Sequence, residues 1–137
     1  MRDRLTFFPD RESTIPKENI PDFASERWIE TTDGETILSF LFLHDENTKR
    51  PLIIYFHGNA GNVYYRFDNA IRLFQMDHDV LLVSYRGYAK STGTPNEEGI
   101  YTDGRSAINY AINDLGYNEN EEYAVHVFAV LHDLFCV

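Results

Sequence analysis

Pro51-Leu52-Ile53-Ile54-Tyr55-Phe56-His57-Gly58-Asn59-Ala60-Gly61-Asn62 decides the fold. Its first half is a continuous apolar run, which fits a strand buried on both faces of a parallel sheet. The run stops at His57-Gly58 and the period changes. Val63, Phe67, Ala70, Ile71 and Phe74 fall on one helical stripe, which Asp77-His78-Asp79 breaks. A second buried run, residues 80–85, ends in a glycine-bearing loop over residues 86–93. Thr94-Pro95-Asn96-Glu97 then carries a helix-start signal: Thr94 as N-cap, Pro95 at the first helical position, Glu97 three residues after the cap. Ile100, Ala107, Ile108, Ala111 and Leu115 predict its buried face, and Gly116 its stop. Residues 117–122 read as a charged loop and residues 123–131 as a last strand.

Upstream, residues 26–43 read as a hairpin around Thr31-Thr32-Asp33-Gly34, whose Asp-Gly pair tolerates positive φ at a tight turn. Residues 1–25 hold Pro9, Pro16 and Pro21 and read as an irregular arm, with Phe7 and Phe8 tucked onto the body. The remainder, 26–137, reads as one domain. Strands alternating with helices mean βαβ units, hence an α/β fold: an antiparallel hairpin plus a mostly parallel sheet of about five strands with flanking helices. Ligands of such sheets sit at the carboxyl ends of the strands, where the 57–62 and 86–93 loops lie.

The chain has 137 residues, 43% of them apolar, enough for one globular domain. A net charge of −10 argues against nucleic-acid partners, which need cations to neutralise phosphate, and against anionic membrane surfaces. No apolar run approaches the ~18–20 residues of a membrane span, and the start lacks a signal peptide's apolar segment. A single cysteine, Cys136, allows no intramolecular disulfide, so a cytoplasmic, reducing setting is expected.

The chemistry centres on residues 57–62. Gly58 and Gly61 let the backbone turn sharply and present N–H groups beside a helix N-terminus, an arrangement suited to a developing negative charge. Two readings fit the local sequence: half an oxyanion hole, or a tight connection with no ligand.

His57-Gly58-Asn59-Ala60-Gly61-Asn62, followed by Val80-Leu81-Leu82-Val83-Ser84-Tyr85-Arg86-Gly87-Tyr88, Lys90-Ser91, Gly93, Glu97-Glu98-Gly99-Ile100-Tyr101 and Asp103, resembles the alpha/beta-hydrolase superfamily. More narrowly, these motifs resemble its serine hydrolases with an HGNAGN loop and a YRGYGKS-type strand end, in order over about residues 28–117. The resemblance implies a Ser–Asp–His triad and ester, thioester or amide hydrolysis without a cofactor. It implies that Asn59 donates its backbone N–H to the oxyanion. His57, Gly58, Ala60 and Gly61 would support the loop, His57 being structural rather than the base. Tyr85 and Arg86 would brace the strand end. The implied spatial order of strands is 1-2-4-3-5, with the fifth strand an open edge. Relatives of this type often carry a membrane anchor. Ala89 stands where they usually have glycine, at a cost of about 1 kcal/mol if its φ is positive.

The nucleophile is what departs from the pattern. None of the serines (Ser13, Ser25, Ser39, Ser84, Ser91, Ser106) lies in G-x-S-x-G, and no glycine follows Gly116. Gly104-Arg105-Ser106-Ala107-Ile108 lacks the second glycine and falls mid-helix. His126 and His132 have no evident partner, and Cys136 near His132 is too close to the terminus to be held. His44, His57 and His78 lack zinc-ligand spacing, so no metal is expected. Ala89-Lys90-Ser91 lacks the glycines of a P-loop. The expectation is the N-terminal half of a serine hydrolase, inactive alone, acting on a small acyl substrate only when completed by a C-terminal half. The alternative is a non-catalytic interaction module that self-associates through its open edge strand.

Overall fold

A computed structural model describes residues 7–57, 60–118 and 125–129. In chain order the strands are β1 (Phe8–Pro9), β2 (Ala24–Glu30), β3 (Thr36–Phe42), β4 (Leu52–Phe56), β5 (Ala60–Gly61), β6 (Asp79–Val83) and β7 (Val125–Ala129). The helices are α1 (Phe67–Gln75), entered through a 3-10 turn over Val63–Arg66, and α2 (Glu97–Asn109), continued by a π-helical turn over Tyr110–Asp114. The main sheet runs β2-β3-β6-β4-β7. Its first two pairings are antiparallel, and β6/β4 and β4/β7 are parallel. This is the order 1-2-4-3-5 expected for the five main strands. Separately, β1 pairs in parallel with β5.

The continuous apolar runs are explained by two covered faces. Ile29, Ile37, Leu41, Leu52, Ile54, Phe56, Leu81 and Val83 pack with Ile100, Ala107 and Ala111 of the α2 side. The alternate residues Leu38, Phe40, Phe42, Tyr55, Val80 and Leu82 pack with Val63, Tyr64, Phe67 and Ala70. Phe67 meets Phe40 and Phe42 edge-on, at centroid separations of 4.8 and 5.5 Å. The strands β3, β4 and β6 therefore bury residues of both parities, which no half-solvated strand does.

Several local expectations are corrected. The cap of α2 is Asn96, not Thr94: its Oδ1 accepts the Gly99 N–H at 2.8 Å, and the first helical residue is Glu97. Pro95 is used by the preceding loop instead, its ring filling the space where a Gly87 Cβ would stand, 2.3 Å from Pro95 Cδ. Asp79 does not break the helix but begins β6, fully buried, and accepts the Tyr117 hydroxyl at 2.6 Å and the Arg50 N–H at 3.1 Å. Those donors are what make a buried carboxylate tolerable. The α-helix stops at Asn109 rather than reaching Leu115, although Gly116 does end the segment with φ +80°. The hairpin loop is Thr32-Asp33-Gly34, with only Gly34 at positive φ (+91°) and its N–H on the Thr31 carbonyl. In the arm, Phe7 packs against the α2-side core but Phe8 is 60% exposed. The charged loop predicted at 117–122 and both ends of the strand predicted at 123–131 extend beyond the described residues.

Candidate functional site

Two loops rise from the carboxyl ends of the adjacent parallel strands β4 and β6. The first begins at His57, whose ring is fully buried. Its Nε2 accepts the Tyr85 backbone N–H at 3.1 Å, tying the end of β4 to the second residue after β6. That bond uses the Nε2 lone pair and assigns any ring proton to Nδ1. Tyr85 meets the ring edge-on at 5.0 Å and Tyr88 lies 4.6 Å from it. The loop ends at Asn62, also buried. Asn62 Oδ1 caps the 3-10 turn through the Tyr64 N–H at 2.9 Å. Its amide nitrogen donates to the carbonyls of Asp10 (3.1 Å) and Ser13 (2.9 Å). Of the residues singled out from the sequence, His57 is placed with its side chain. Ala60 and Gly61 are placed as the backbone of β5. Gly58 and Asn59, including the expected oxyanion donor, lie outside the described residues.

The second loop is organised by Arg86. Its backbone N–H donates to Asp103 Oδ2 at 2.8 Å, and its Nε and Nη2 to Asp103 Oδ1 at 3.0 and 2.8 Å. Nη1 and Nη2 make a bidentate pair with Asp33 at 2.8 and 2.9 Å. The Arg86 hydrogen bonds hold the Asp33 carboxyl down at about 2. Burial pushes the Asp103 carboxyl up, against the pull of Arg86. Burial disfavours charge on Arg86 too, but its two carboxylate partners raise it overall. The guanidinium lies across α2 where Gly99 has no side chain: a Cβ there would be 2.7 Å from Arg86 Cδ. Positive φ at Gly87, Ala89 and Gly93 folds the rest of the loop. At Ala89, φ is +50°, the conformation anticipated for a position usually held by glycine. Burial pushes the Tyr88 phenol up to about 12. Among the described residues the buried Tyr85 hydroxyl has no hydrogen-bond partner.

The described residues bring no nucleophile and base together. Ser106 lines a cleft of about 440 Å³ with Trp28, Asn109 and Tyr110, but its hydroxyl donates to the Thr102 carbonyl of its own helix at 2.8 Å. No cluster of three metal-ligating side chains occurs among the described residues. No helix among them is long and apolar enough to cross a membrane. Sequence reasoning missed Asp33 as the partner of Arg86, and it missed the arm residues around Asp10. Asn62 carried a legible signal, an Asn just ahead of an apolar helical stripe.

No protein-family model matches the chain. The chain is similar to the Schizosaccharomyces pombe protein bem46, at 42% identity over 85 residues, 60% of this chain and 28% of bem46. It is similar to the alpha/beta hydrolase domain-containing protein WAV2 of Arabidopsis thaliana, at 30% identity over 84 residues, 61% of this chain and 27% of WAV2. A solved esterase of Pyrococcus furiosus superposes with a TM-score of 0.68 at 16% identity, covering 89% of this chain and 48% of the esterase. The chain carries part of an alpha/beta-hydrolase fold. Its relationship is to that superfamily, of which it spans less than a third of bem46 and WAV2 and about half of the esterase. Within that partial alpha/beta-hydrolase fold, the two loops occupy the carboxyl end of the parallel strands, where such sheets bind ligands.

Proposed function

We propose that this chain is the N-terminal, oxyanion-side part of a serine hydrolase acting on esters, thioesters or amides. The observation that carries the reading is the His57–Tyr85 bond, which joins two glycine-bearing loops at the ends of adjacent parallel strands. In this reading Asn59 offers its backbone N–H to the anionic tetrahedral intermediate, and Gly58, Ala60 and Gly61 shape the turn. His57 is not the base, because its Nε2 lone pair already accepts the Tyr85 N–H. Tyr85 and Arg86 hold the scaffold. Nucleophile, acid and base come from sequence that follows, since no serine here lies in G-x-S-x-G. The isolated chain therefore turns over no acyl substrate, and no cofactor or metal takes part. The single cysteine fits a reducing compartment. The test is the reading frame downstream of codon 137. The proposal expects a strand followed by G-x-S-x-G, and a conserved stop codon directly after Val137 in the native transcript overturns it.

A second reading, a non-catalytic interaction module, has one observation in its favour. Among the described residues β7 is hydrogen-bonded to β4 alone, leaving its other edge for a strand from a second copy. Sedimentation with thermal unfolding decides it: a defined, cooperatively unfolding oligomer supports pairing through β7, and a concentration-independent monomer removes it.

A further inference from the structure

We infer that residues 8–13 of the N-terminal arm form a clasp that sets the position of the 57–62 loop against the 86–93 loop, with Asn62 and Arg11 as its positioning residues. The sequence gives this arm no apolar periodicity and no motif, yet its backbone and side chains touch both loops. On one side, Phe8 and Pro9 pair in register with Ala60 and Gly61. The Asp10 and Ser13 carbonyls take both protons of the Asn62 amide. On the other, the Asp10 carbonyl also accepts the Ala89 N–H at 2.9 Å. Arg11 donates to the carbonyls of Ser91 and Gly93. The Phe8 backbone N–H hydrogen-bonds the Tyr88 phenol, whose ring lies against His57. The Asp10 carbonyl is thus shared by the two loops.

The arm is itself stiffened. Asp10 Oδ1 accepts the N–H groups of Glu12 and Ser13, both at 3.0 Å, closing an Asx turn. The Tyr65 hydroxyl donates to Asp10 Oδ2 at 2.8 Å. The Ser13 hydroxyl first, then the Ser13 N–H and the Tyr65 hydroxyl, hold the Asp10 carboxyl well below the usual carboxylate range. The clasp is therefore a preformed turn, and loops on rigid supports are the ones that hold reacting groups in place. Its consequence for catalysis rests on the hydrolase reading above: through Ala60, Gly61 and Asn62 the arm anchors one end of the loop that this reading makes the oxyanion side.

Amide hydrogen exchange on the full chain tests the clasp without any activity. Asn62→Asp keeps the acceptor for Tyr64 but loses both donated bonds to the arm. It is expected to speed exchange at Gly61 and Ala89 by about tenfold, while the Leu81 and Leu82 amides in β6 are unchanged. Arg11→Ala is the discriminating variant, since among the described residues the Arg11 side chain hydrogen-bonds to the 86–93 loop alone. It is expected to speed exchange at Ala89 and, through the arm, at Gly61, by about threefold, with Arg11→Lys partly restoring protection. Unchanged exchange at Gly61 in Arg11→Ala overturns the clasp, and so does a rise at Gly61 matched by an equal rise at Leu81. A confirmed clasp in a gene with no downstream G-x-S-x-G removes the hydrolase reading alone, and the converse result removes the clasp alone.

Discussion

The 86–93 loop and the 57–62 loop leave neighbouring strands at the same end of the sheet, but they are held in different ways. The 86–93 loop is held largely from within the domain body. Arg86 is bonded to the hairpin through Asp33 and to α2 through Asp103, Thr92 accepts and donates at Thr36, and three residues adopt positive φ. The 57–62 loop is held at its ends, by His57 on Tyr85 and by Asn62 and β5 on the arm. A loop locked by buried charge and backbone shape is a scaffold. A loop positioned by a stiffened arm distant in sequence is aligned from outside the domain body, which suits the part the proposed function gives it, presenting an N–H to a reacting oxygen.

The largest effect that would break this contrast is Arg86→Ala. The change leaves Asp103 buried without its cation, and the expected loss is about 3–5 kcal/mol in urea unfolding. A loss of less than about 1 kcal/mol, the scale of an exposed pair, would show the network to be incidental. Next comes Gly87→Ala. A Cβ there would lie 2.3 Å from Pro95 Cδ at φ +82°, so about 2–4 kcal/mol should be lost. If instead the variant keeps its midpoint, the loop is more plastic than its geometry implies. Ala89→Gly runs the other way. Relief of the strained φ of +50° exceeds the added chain entropy, so thermal unfolding should show a gain of about 0.5 kcal/mol.

The smallest effect is a pH dependence. Asp33 is held at about 2 from an ordinary 3.8, chiefly by its hydrogen bonds from Arg86. A depressed carboxyl stabilises the folded state above its unfolded pKa and loses that contribution as pH falls through its folded one. The melting-temperature gap between the native chain and Asp33→Asn should therefore be full above about pH 4 and close as pH falls to about 2. A gap that stays constant over that window would mean that the ion pair is not what Asp33 contributes.

The central framework was readable from local chemistry. Residues 52–56 and 80–83 are apolar at successive positions because both faces of their strands are covered, and Gly116 ends the segment that continues α2 because it can adopt φ +80°. The strand order followed from resemblance rather than from any property of the individual runs. What stayed hidden depends on distance along the chain. Asp33 sits in a turn where Asp is expected for local reasons, and nothing nearby signals a guanidinium 53 residues away. Thr94 and Asn96 are both competent caps, and only the seat of Pro95 against Gly87 separates them. The arm contributes mainly backbone carbonyls, which every sequence possesses, so its hold on Asn62 and Ala89 leaves no residue signature.

The central claim is that this segment holds a charge-stabilising loop and no attacking group. Intact-mass spectrometry of the purified chain after exposure to a fluorophosphonate tests it most directly. The account predicts an unmodified mass at reagent concentrations that fully label a serine esterase treated in parallel. A single stoichiometric adduct, on Ser106 or on any other side chain, would contradict it.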